Sequence, residues 1–460
     1  MKPPSVSIQK RSFPESFKGV SSKDSMSAAD IKWQQFFSDT NLKKLIQQAL
    51  IHNPDFKIAT QKIEINRAQF LTAKAALLPS LQGGLTIAAD RFGKYTMNGV
   101  GNFDTNLSPD ISKDQQIPQT PYTEMFLGFR SVWEIDVWKK LSNKKKAATT
   151  RVLAAEAEQK LLQTLLVSEV AQLYYTLLAL DVELDVLKRN VALQQNELEL
   201  IKIQKNAGRA TELAVKQFSA QLMGTKSLEF QIQQQIVATE NALNALVGAF
   251  PQQIQRSKFT DQLKLPLLLK AGLPSNLLAK RPDILMSEWQ LQASGADVEA
   301  ARAAFLPQLT ITPYIGLSAF NPRLLFNAES IASGALTGLM APIFMQKQVE
   351  AAHKISLANN KIAYYEYEKV VLKAAQEVVT DMKAIENLKQ SYDLKAIEIS
   401  ELKEGLKVAN DLYNAGFATY LEIITAQRNV LDAELQQVII MNRMMLAAVD
   451  LYRSLGGGWE

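Results

Sequence analysis

Two long stretches of the chain contain no proline. Sixteen prolines occur among 460 residues, yet none falls in the 129 residues from Tyr122 to Phe250 or in the 118 from Ile343 to Glu460. Because a proline inside an α-helix costs roughly 3 kcal/mol, very long helices can form in these stretches. Length alone favours about three domains, but two proline-free stretches of similar size favour one fold that occurs twice in the chain.

The sequence repeats itself. Residues 73–81, Ala-Lys-Ala-Ala-Leu-Leu-Pro-Ser-Leu, recur with changes as residues 301–309, a shift of 228. Residues 206–213, which begin Asn-Ala-Gly, recur as residues 414–421, a shift of 208. The smaller second shift places a surplus of about 20 residues in the first copy. We therefore predict an internally duplicated fold.

Each copy begins with a helical pattern that stops at a Leu-Pro. The two helices are predicted over residues 56–78 and 284–306. Proline disfavours the helical conformation of the residue before it. Pro79 and Pro307 are therefore predicted to mark junctions between helix and strand.

Alternation of apolar and polar residues follows each Leu-Pro. It covers residues 81–90 and 125–137 in the first copy, and 309–318 and roughly 334–344 in the second. This pattern predicts two strands in each copy, with a polar loop over residues 93–121 between the first two. Apolar residues share one face, and the other carries the charged residues Arg130, Glu134 and Asp136.

A long helical hairpin follows the strands in each copy. Neither glycine nor proline occurs from Phe129 to Ala207 or from Ile343 to Glu404, and a helix of about 65 residues would span roughly 100 Å. Each long helix is predicted to end at an Asn-Ala-Gly, with the glycine as C-cap. A threonine then caps the returning helix. The predicted tips comprise Asn206, Ala207, Gly208 and Thr211 in the first copy, and Asn414, Ala415, Gly416 and Thr419 in the second.

The composition excludes several kinds of site. The chain has no cysteine and two histidines, His52 and His353, which excludes thiolate chemistry and a histidine-built zinc site. Phosphate-loop and nucleophile-elbow motifs are absent, so we expect neither an enzyme nor a bound cofactor. The net charge of +5 is spread along the chain and does not favour a nucleic-acid partner.

Two interpretations of this pattern remain at this point. Apolar stripes along the long helices are typical of coiled coils, and would suit a soluble or surface structural or adhesion protein with β inserts. Strands of about 9–11 residues with alternating faces are also typical of membrane barrels. Four such strands cannot close a barrel, and lipid does not tolerate open edges. A membrane protein would therefore need several chains.

Several segments together resemble the TolC-like outer-membrane efflux protein family. The resemblance covers residues 30–456 and is greatest to the lipoprotein branch that serves tripartite RND-type pumps. The segments that carry it are Trp33, Phe37-Ser38-Asp39 and Asn53-Pro54-Asp55 near the start, both copies of Ala-x-Ala-Ala-x-Leu-Pro-x-Leu, residues 133–138, residues 341–344, and residues 420–423 with 426–428.

The resemblance implies a mainly α fold with β-strands and a homotrimer. Twelve strands would form an outer-membrane barrel and twelve long helices a periplasmic tunnel, surrounded by a belt of short helices near residues 42–52 and 275–280. The protein would be a passive exit duct in contact with outer-membrane lipid. Its partners would be a periplasmic adaptor (membrane fusion) protein and an inner-membrane RND-type transporter.

The resemblance also divides the chain. We expect an extended segment over residues 1–30, a first repeat over 31–250, a linker in the belt over 251–281, and a second repeat over 282–460. Members of this branch begin with a lipidated cysteine, which this sequence lacks together with a signal peptide. We expect that a leader and an anchor have been removed from this chain.

The resemblance places a gate just after the second tip. Glu422 follows Gly416 by six residues, and three copies around an axis would form a ring of carboxylates that attracts cations. Tyr420 lies beside this position, and Thr425 stands where many relatives carry a second acid. The alternative is that Glu422 is an ordinary solvated carboxylate. The tip residues named above are expected to dock the adaptor, and Arg130, Glu134 and Asp136 to face the barrel lumen.

Overall fold

The computed structural model describes residues 31–118, 121–258, 280–341 and 347–459. The chain forms two compact units. The helical unit comprises Met1–Ile63, Leu153–Glu288 and Tyr365–Glu460, and the sheet unit comprises Glu64–Val152 and Trp289–Tyr364. The expected segment 1–30, most of the belt linker and its short helix near 275–280, and residues 342–346 lie outside the described residues.

The helices repeat with equal lengths in the two copies. The first copy contains α1 (Trp33–Phe36), α2 (Thr40–His52), α3 (Pro54–Ala75), α4 (Met97–Asn106), α5 (Lys140–Asn206) and α6 (Glu212–Leu246). The second contains α7 (Pro282–Ala303), α8 (Gln348–Asn414) and α9 (Tyr420–Ser454). Helices α5 and α8 each have 67 residues, and α6 and α9 each have 35. The predicted duplication and the two helical hairpins are confirmed.

The strands form one antiparallel sheet within the sheet unit. They are β1 (Ser80–Asp90), β2 (Tyr122–Ile135), β3 (Gln308–Ala319) and β4 (Ile331–Met340), in the order β1-β2-β3-β4. The register pairs Leu85 with Leu127 and Leu127 with Leu317. Since side chains alternate between faces, the register gathers most apolar residues of the four strands on one face, as predicted, while Phe126, Leu336 and Met340 lie on the other.

The boundaries of the predicted elements shift by a few residues. Helices α3 and α7 end at Ala75 and Ala303, three residues early, because a tight turn precedes each proline; in the first copy the Leu78 N–H donates to the Ala75 carbonyl at 2.9 Å. Strand β4 begins at Ile331 rather than Gly334 and ends at Met340. The polar loop after β1 contains α4, which the sequence did not predict because Gly99 and Gly101 argue against a helix.

Asp136 lies one residue beyond β2, so its predicted place on the strand is wrong. Its carboxylate accepts hydrogen bonds from the backbone N–H groups of Leu141, at 2.8 Å, and Ser142, at 2.7 Å. These groups belong to the first turn of α5, where free N–H groups favour a carboxylate. Alternation predicts Asp136 on the strand, but its carboxylate binds the N–H groups at the start of α5 instead.

The largest core of the helical unit surrounds the middle of α5. Tyr174, Leu177 and Leu178 are fully buried there, against α2, the end of α6 and the end of α9. The Phe36 and Tyr452 rings stack at 4.0 Å, and the Tyr174 hydroxyl donates to Asp39 at 2.7 Å. One stretch of α5 is long and apolar enough to cross a membrane, but 61% of it is buried within the protein. Its role in this core accounts for that composition.

Candidate functional site

The two hairpin tips have the same backbone structure. Gly208 and Gly416 adopt φ of 69° and 81°, the left-handed region that favours glycine. At the first tip the Gly208 N–H donates to Lys205 O at 2.9 Å, and the Arg209 N–H donates to Gln204 O at 2.8 Å. The second tip repeats both bonds 208 residues later. This pairing is the Schellman motif, so the predicted glycine C-caps are confirmed.

Threonine caps the returning helix at both tips, as predicted. The Thr211 hydroxyl accepts from the Ala214 N–H at 3.2 Å, and the Thr419 hydroxyl accepts from the Leu421 N–H at 3.3 Å. Each cap satisfies a helical N–H group that has no partner within the helix. The tips are therefore rigidly defined turns.

The tips expose both polar and apolar side chains. All eight predicted tip residues are exposed: Asn206, Ala207, Gly208, Thr211, Asn414, Ala415, Gly416 and Thr419. Beside them, Phe417 is 83% exposed, and the repeat-related residues Leu213 and Leu421 are 60% and 54% exposed. The sequence pattern did not single out these three, although both leucines lie within the repeated tip segment. Exposed apolar groups of this kind are typical of interaction surfaces.

Polar contacts join the helices close to the tips. Lys205 and Glu212 form an ion pair at 2.5 Å across the first tip. The Tyr413 hydroxyl, on α8, donates to the Gln204 side-chain oxygen, on α5, at 2.7 Å. This second bond joins one hairpin to the other, and no sequence pattern predicted it.

Glu422 lies in the first turn of α9. Its carboxylate accepts hydrogen bonds from the Thr419 hydroxyl and, at 2.9 Å, from the Thr419 N–H, which completes a capping box. The bond from the Thr419 hydroxyl lowers the pKa of Glu422 most, and the carboxylate is fully exposed. Glu422 is therefore charged at neutral pH. A role in local structure and a role in a gate are both compatible with this position.

The other two residues expected at the gate lie on the same turns of α9. Thr425 is exposed, and its hydroxyl donates to the Leu421 carbonyl at 2.8 Å. Tyr420 is half-buried against the apolar cluster behind the tips, which includes Phe218 and Ile423. The single chain thus brings Tyr420, Glu422 and Thr425 within two turns of one helix.

A polar layer interrupts that apolar cluster. Glu197 on α5 lies close to Gln427 on α9. Burial raises the pKa of the Glu197 carboxyl, and the neighbouring Gln427 side chain opposes that rise. The buried side chains of Gln194 and Gln427 each keep a side-chain oxygen with no partner among the described residues. Because burying a polar group without a partner costs free energy, this layer stabilises the packing of the hairpins less than an apolar layer would.

The polar face of the sheet carries a second group of predicted residues. The Arg130 guanidinium lies 4.6 Å from the centre of the Phe126 ring, which meets Tyr314 edge-on at 5.9 Å. Glu134, on the same face, pairs with Lys140 at 2.5 Å. Arg130 and Glu134 therefore share a face, as predicted, whereas Asp136 lies beyond the strand and accepts hydrogen bonds from the first turn of α5.

A four-stranded sheet with one exposed apolar face, joined in sequence to long helical hairpins with capped tips, defines an outer-membrane channel of the efflux type. The profile of the family described as "Outer membrane efflux protein" matches residues 45–249 and 273–457. The chain belongs to this family. The suspected resemblance and the outer-membrane location are confirmed, and membership of a family of transport channels favours the expectation that the chain is not an enzyme.

Individual relatives agree with this assignment. The chain is 28% identical over 427 residues to the cation efflux system protein CusC of Escherichia coli K12, covering 93% of this chain and 88% of that protein. It is 28% identical over 435 residues to the pyoverdine export outer membrane protein OpmQ of Pseudomonas aeruginosa, covering 94% and 89%. A crystal structure of CusC superimposes with a TM-score of 0.85 at 25% identity, covering 99% of both chains.

Proposed function

We propose that three copies of this chain assemble into a passive exit duct of a tripartite efflux pump. The observation that carries this proposal is the sheet itself. Its order β1-β2-β3-β4 leaves β1 and β4 as edges within the described residues. Lipid does not tolerate unpaired edges, and three copies would supply twelve strands to a closed barrel.

The proposed barrel has an apolar exterior and a polar lumen. Leu81, Leu85, Phe129, Ile315 and Leu339 share one face of the sheet and are all largely exposed. This face would contact lipid. Arg130 and Glu134, on the opposite face, would face the water-filled lumen.

The hairpin tips are the proposed docking site for the periplasmic adaptor protein. Their support is the exposure of the eight tip residues together with Phe417, Leu213 and Leu421. An apolar patch framed by small residues allows close approach of another backbone. The adaptor would in turn connect the duct to an inner-membrane RND-type transporter.

The proposed gate is a ring of three Glu422 side chains around the threefold axis, with Tyr420 and Thr425 beside it. The ring would attract cations to the narrow end of the duct. Two relatives with the same identity to this chain carry names that refer to different cargo, cations for CusC and pyoverdine for OpmQ. We propose accordingly that the pump, and not the duct, selects the substrate.

Conductance in planar lipid bilayers tests the proposal. The purified full chain should migrate as a trimer on unheated gels and as a monomer after heating, and should form discrete channels. A chain that remains monodisperse without detergent and forms no channels would instead be a coiled-coil structural protein, which is the remaining alternative.

A further inference from the structure

A cluster of lysines follows strand β2 at the junction with α5. Residues 139–146 read Lys-Lys-Leu-Ser-Asn-Lys-Lys-Lys, five lysines in eight positions, and residues 137–155 contain no aspartate or glutamate. We call residues 139–146 the basic segment. Such a concentration of one charge directly after β2 creates a positive potential that attracts anions from outside the segment.

Four of these lysines have no carboxylate partner among the described residues. Lys140 pairs with Glu134, whereas no ion pair involves Lys139, Lys144, Lys145 or Lys146. Lys139, Lys144 and Lys146 are exposed and Lys145 is half-buried. The basic segment therefore carries an excess of positive charge at the surface of the sheet unit.

Two tryptophans mark the level of the membrane surface beside the basic segment. The Trp133 indole N–H donates to Leu77 O at 3.1 Å, and the Trp138 indole N–H donates to Pro307 O at 2.8 Å. Both rings remain partly exposed, by 36% and 47%. Tryptophans with a satisfied N–H and an exposed ring are typical of the boundary between hydrocarbon and headgroups. Trp138 immediately precedes Lys139.

The second copy of the repeat lacks the basic segment. At the shift of 208, positions 139, 140, 144, 145 and 146 correspond to Lys347, Gln348, Ala352, His353 and Lys354. Lys354 pairs with Glu350 at 2.6 Å. The backbone of the junction does not require a lysine cluster, because the second copy forms the same junction without one.

A cavity of about 700 Å³ adjoins the basic segment. Lys140 and Lys144 line it, together with alanines of α7 and with Met340. Asp297 also lines the cavity, but its charge is taken by an ion pair with Arg151. Lys140 pairs with Glu134, so Lys144 is the cavity lysine without a carboxylate partner among the described residues. A cavity with this free ammonium at its rim and an alanine wall suits a phosphate headgroup with its glycerol.

We infer that the basic segment binds anionic phospholipid headgroups in the periplasmic leaflet of the outer membrane. Lysines next to a membrane-spanning element attract anionic lipids over a distance limited by the ionic strength. The inference goes beyond the exit-duct function but rests on the proposal that the sheet spans the membrane. Contact between the basic segment and lipid headgroups would fix the depth of the protein in the bilayer.

The test compares lipid selectivity of the full-length protein in vesicles. Spin-labelled phosphatidylglycerol and phosphatidylcholine would report the lipids in contact with the protein. The test variant replaces Lys139, Lys144, Lys145 and Lys146 with glutamine, the rescue variant replaces the same four with arginine, and the matched control replaces Lys347 and Lys354 with glutamine. Insertion into pure phosphatidylcholine vesicles, followed by protease protection, reports separately on whether the sheet spans the membrane.

We expect the preference for phosphatidylglycerol to fall at least about tenfold in the glutamine variant at low salt, and to persist in the arginine variant and the control. High salt should reduce the preference of the unmodified protein. An unchanged preference in the inserted glutamine variant, or an equal fall in the control, would overturn the inference. So would a change of ion selectivity in the glutamine variant without a change of lipid preference, since that places the lysines in the conduction path. Failure of every variant to insert would overturn the membrane-spanning sheet itself.

Discussion

Lys139 and Lys347, 208 residues apart, occupy the same left-handed backbone position. Their φ values are 59° and 64°, and they are the non-glycine residues with positive φ in the described part of the chain. The Asn143 N–H donates to Lys139 O at 3.0 Å, and the Ala351 N–H donates to Lys347 O at 2.9 Å, so each lysine lies immediately before a 67-residue helix and accepts a hydrogen bond from its first turn. The duplication has preserved a strained conformation at the start of each hairpin.

Glycine should be tolerated at these positions and a β-branched residue should not. The left-handed conformation costs a non-glycine residue about 1–2 kcal/mol, and branching at Cβ increases that cost. Lys139→Gly should keep or raise the unfolding temperature of the detergent-solubilised protein, whereas Lys139→Val should lower the free energy of unfolding by about 1–2 kcal/mol. Both variants remove the same charge, so equal stability of the two would contradict the role of φ.

Gly128 and Gly316 face each other across β2 and β3 and should resist substitution. A Cβ at Gly128 would lie 2.5 Å from the Gly316 Cα, and one at Gly316 would lie 2.6 Å from the Leu127 carbonyl oxygen. Backbone atoms cannot move aside cheaply, so Gly128→Ala should cost about 1–3 kcal/mol. Gly84, paired with Gly128 from β1, has open space around its Cβ position.

Gly84→Ala is therefore the matched control for Gly128→Ala. Each change removes one glycine from the same row of the sheet, so their effects on the unfolded chain are alike. Denaturant unfolding followed by tryptophan fluorescence should show a loss for Gly128→Ala and little change for Gly84→Ala. The close-contact argument fails if the two variants unfold at the same denaturant concentration.

The hydrogen bond from Tyr413 to Gln204 should hold the two hairpin tips together. Removing the hydroxyl in Tyr413→Phe should cost about 1 kcal/mol of local stability. Hydrogen exchange of the amides near both tips should accelerate, while exchange in the core around Tyr174 stays unchanged. Tyr420→Phe is the control, because the Tyr420 hydroxyl forms no hydrogen bond within the described residues. Equal exchange rates in both variants would refute this role.

Asp381 should make the helical unit less stable as the pH rises. Burial raises its pKa from 3.8 to about 6, with Asp450 and Glu377 adding to the rise and Ser454 and Arg453 opposing it. The folded protein thus binds this proton more tightly than the unfolded chain. The free energy of unfolding should therefore fall as the pH rises from 3.8 to about 6, and stay lower above that range.

Asp381→Asn should remove this pH dependence. The variant should gain about 2 kcal/mol at neutral pH, after allowance for partial exposure, and little at pH 4. Denaturant unfolding of both proteins across this range measures the difference. A parallel pH profile for the two proteins would show that another group, such as Asp450, carries the dependence.

Much of the fold could be predicted from the sequence because the patterns that indicate its helices and strands extend over many residues. The 67 residues of α5 contain neither glycine nor proline, and the 67 residues of α8 contain one glycine, Gly405, so each stretch favours a helix along its whole length. Each Asn-Ala-Gly then marks the end of the helix, because glycine adopts the left-handed conformation of the C-cap most readily. The strands could be predicted because their apolar and polar residues alternate. A strand with one buried or lipid-facing side requires this alternation. Asp136 was misplaced because a carboxylate at the end of an alternating run also fits the start of a helix.

The contacts between repeats could not be predicted in the same way. The Tyr413 hydrogen bond to Gln204 joins residues 209 positions apart, and no local pattern indicates which turns of two helices meet. The positive φ of Lys139 and Lys347 could not be predicted either, because lysine, unlike glycine, has no preference for that conformation. The sequence shows only that lysine occupies both positions, which are related by the repeat shift of 208 residues.

Glu422 offers the sharpest test of the gate. Glutamine can replace glutamate in a capping box, so Glu422→Gln should preserve the start of α9 while removing three charges from the proposed ring. Thr419→Ala removes the cap hydroxyl and leaves the charge, at a cost of about 1 kcal/mol. In planar bilayers, Glu422→Gln should reduce cation selectivity and Thr419→Ala should not. Selectivity that survives in Glu422→Gln would make Glu422 a helix cap alone, because a ring without charge cannot attract cations.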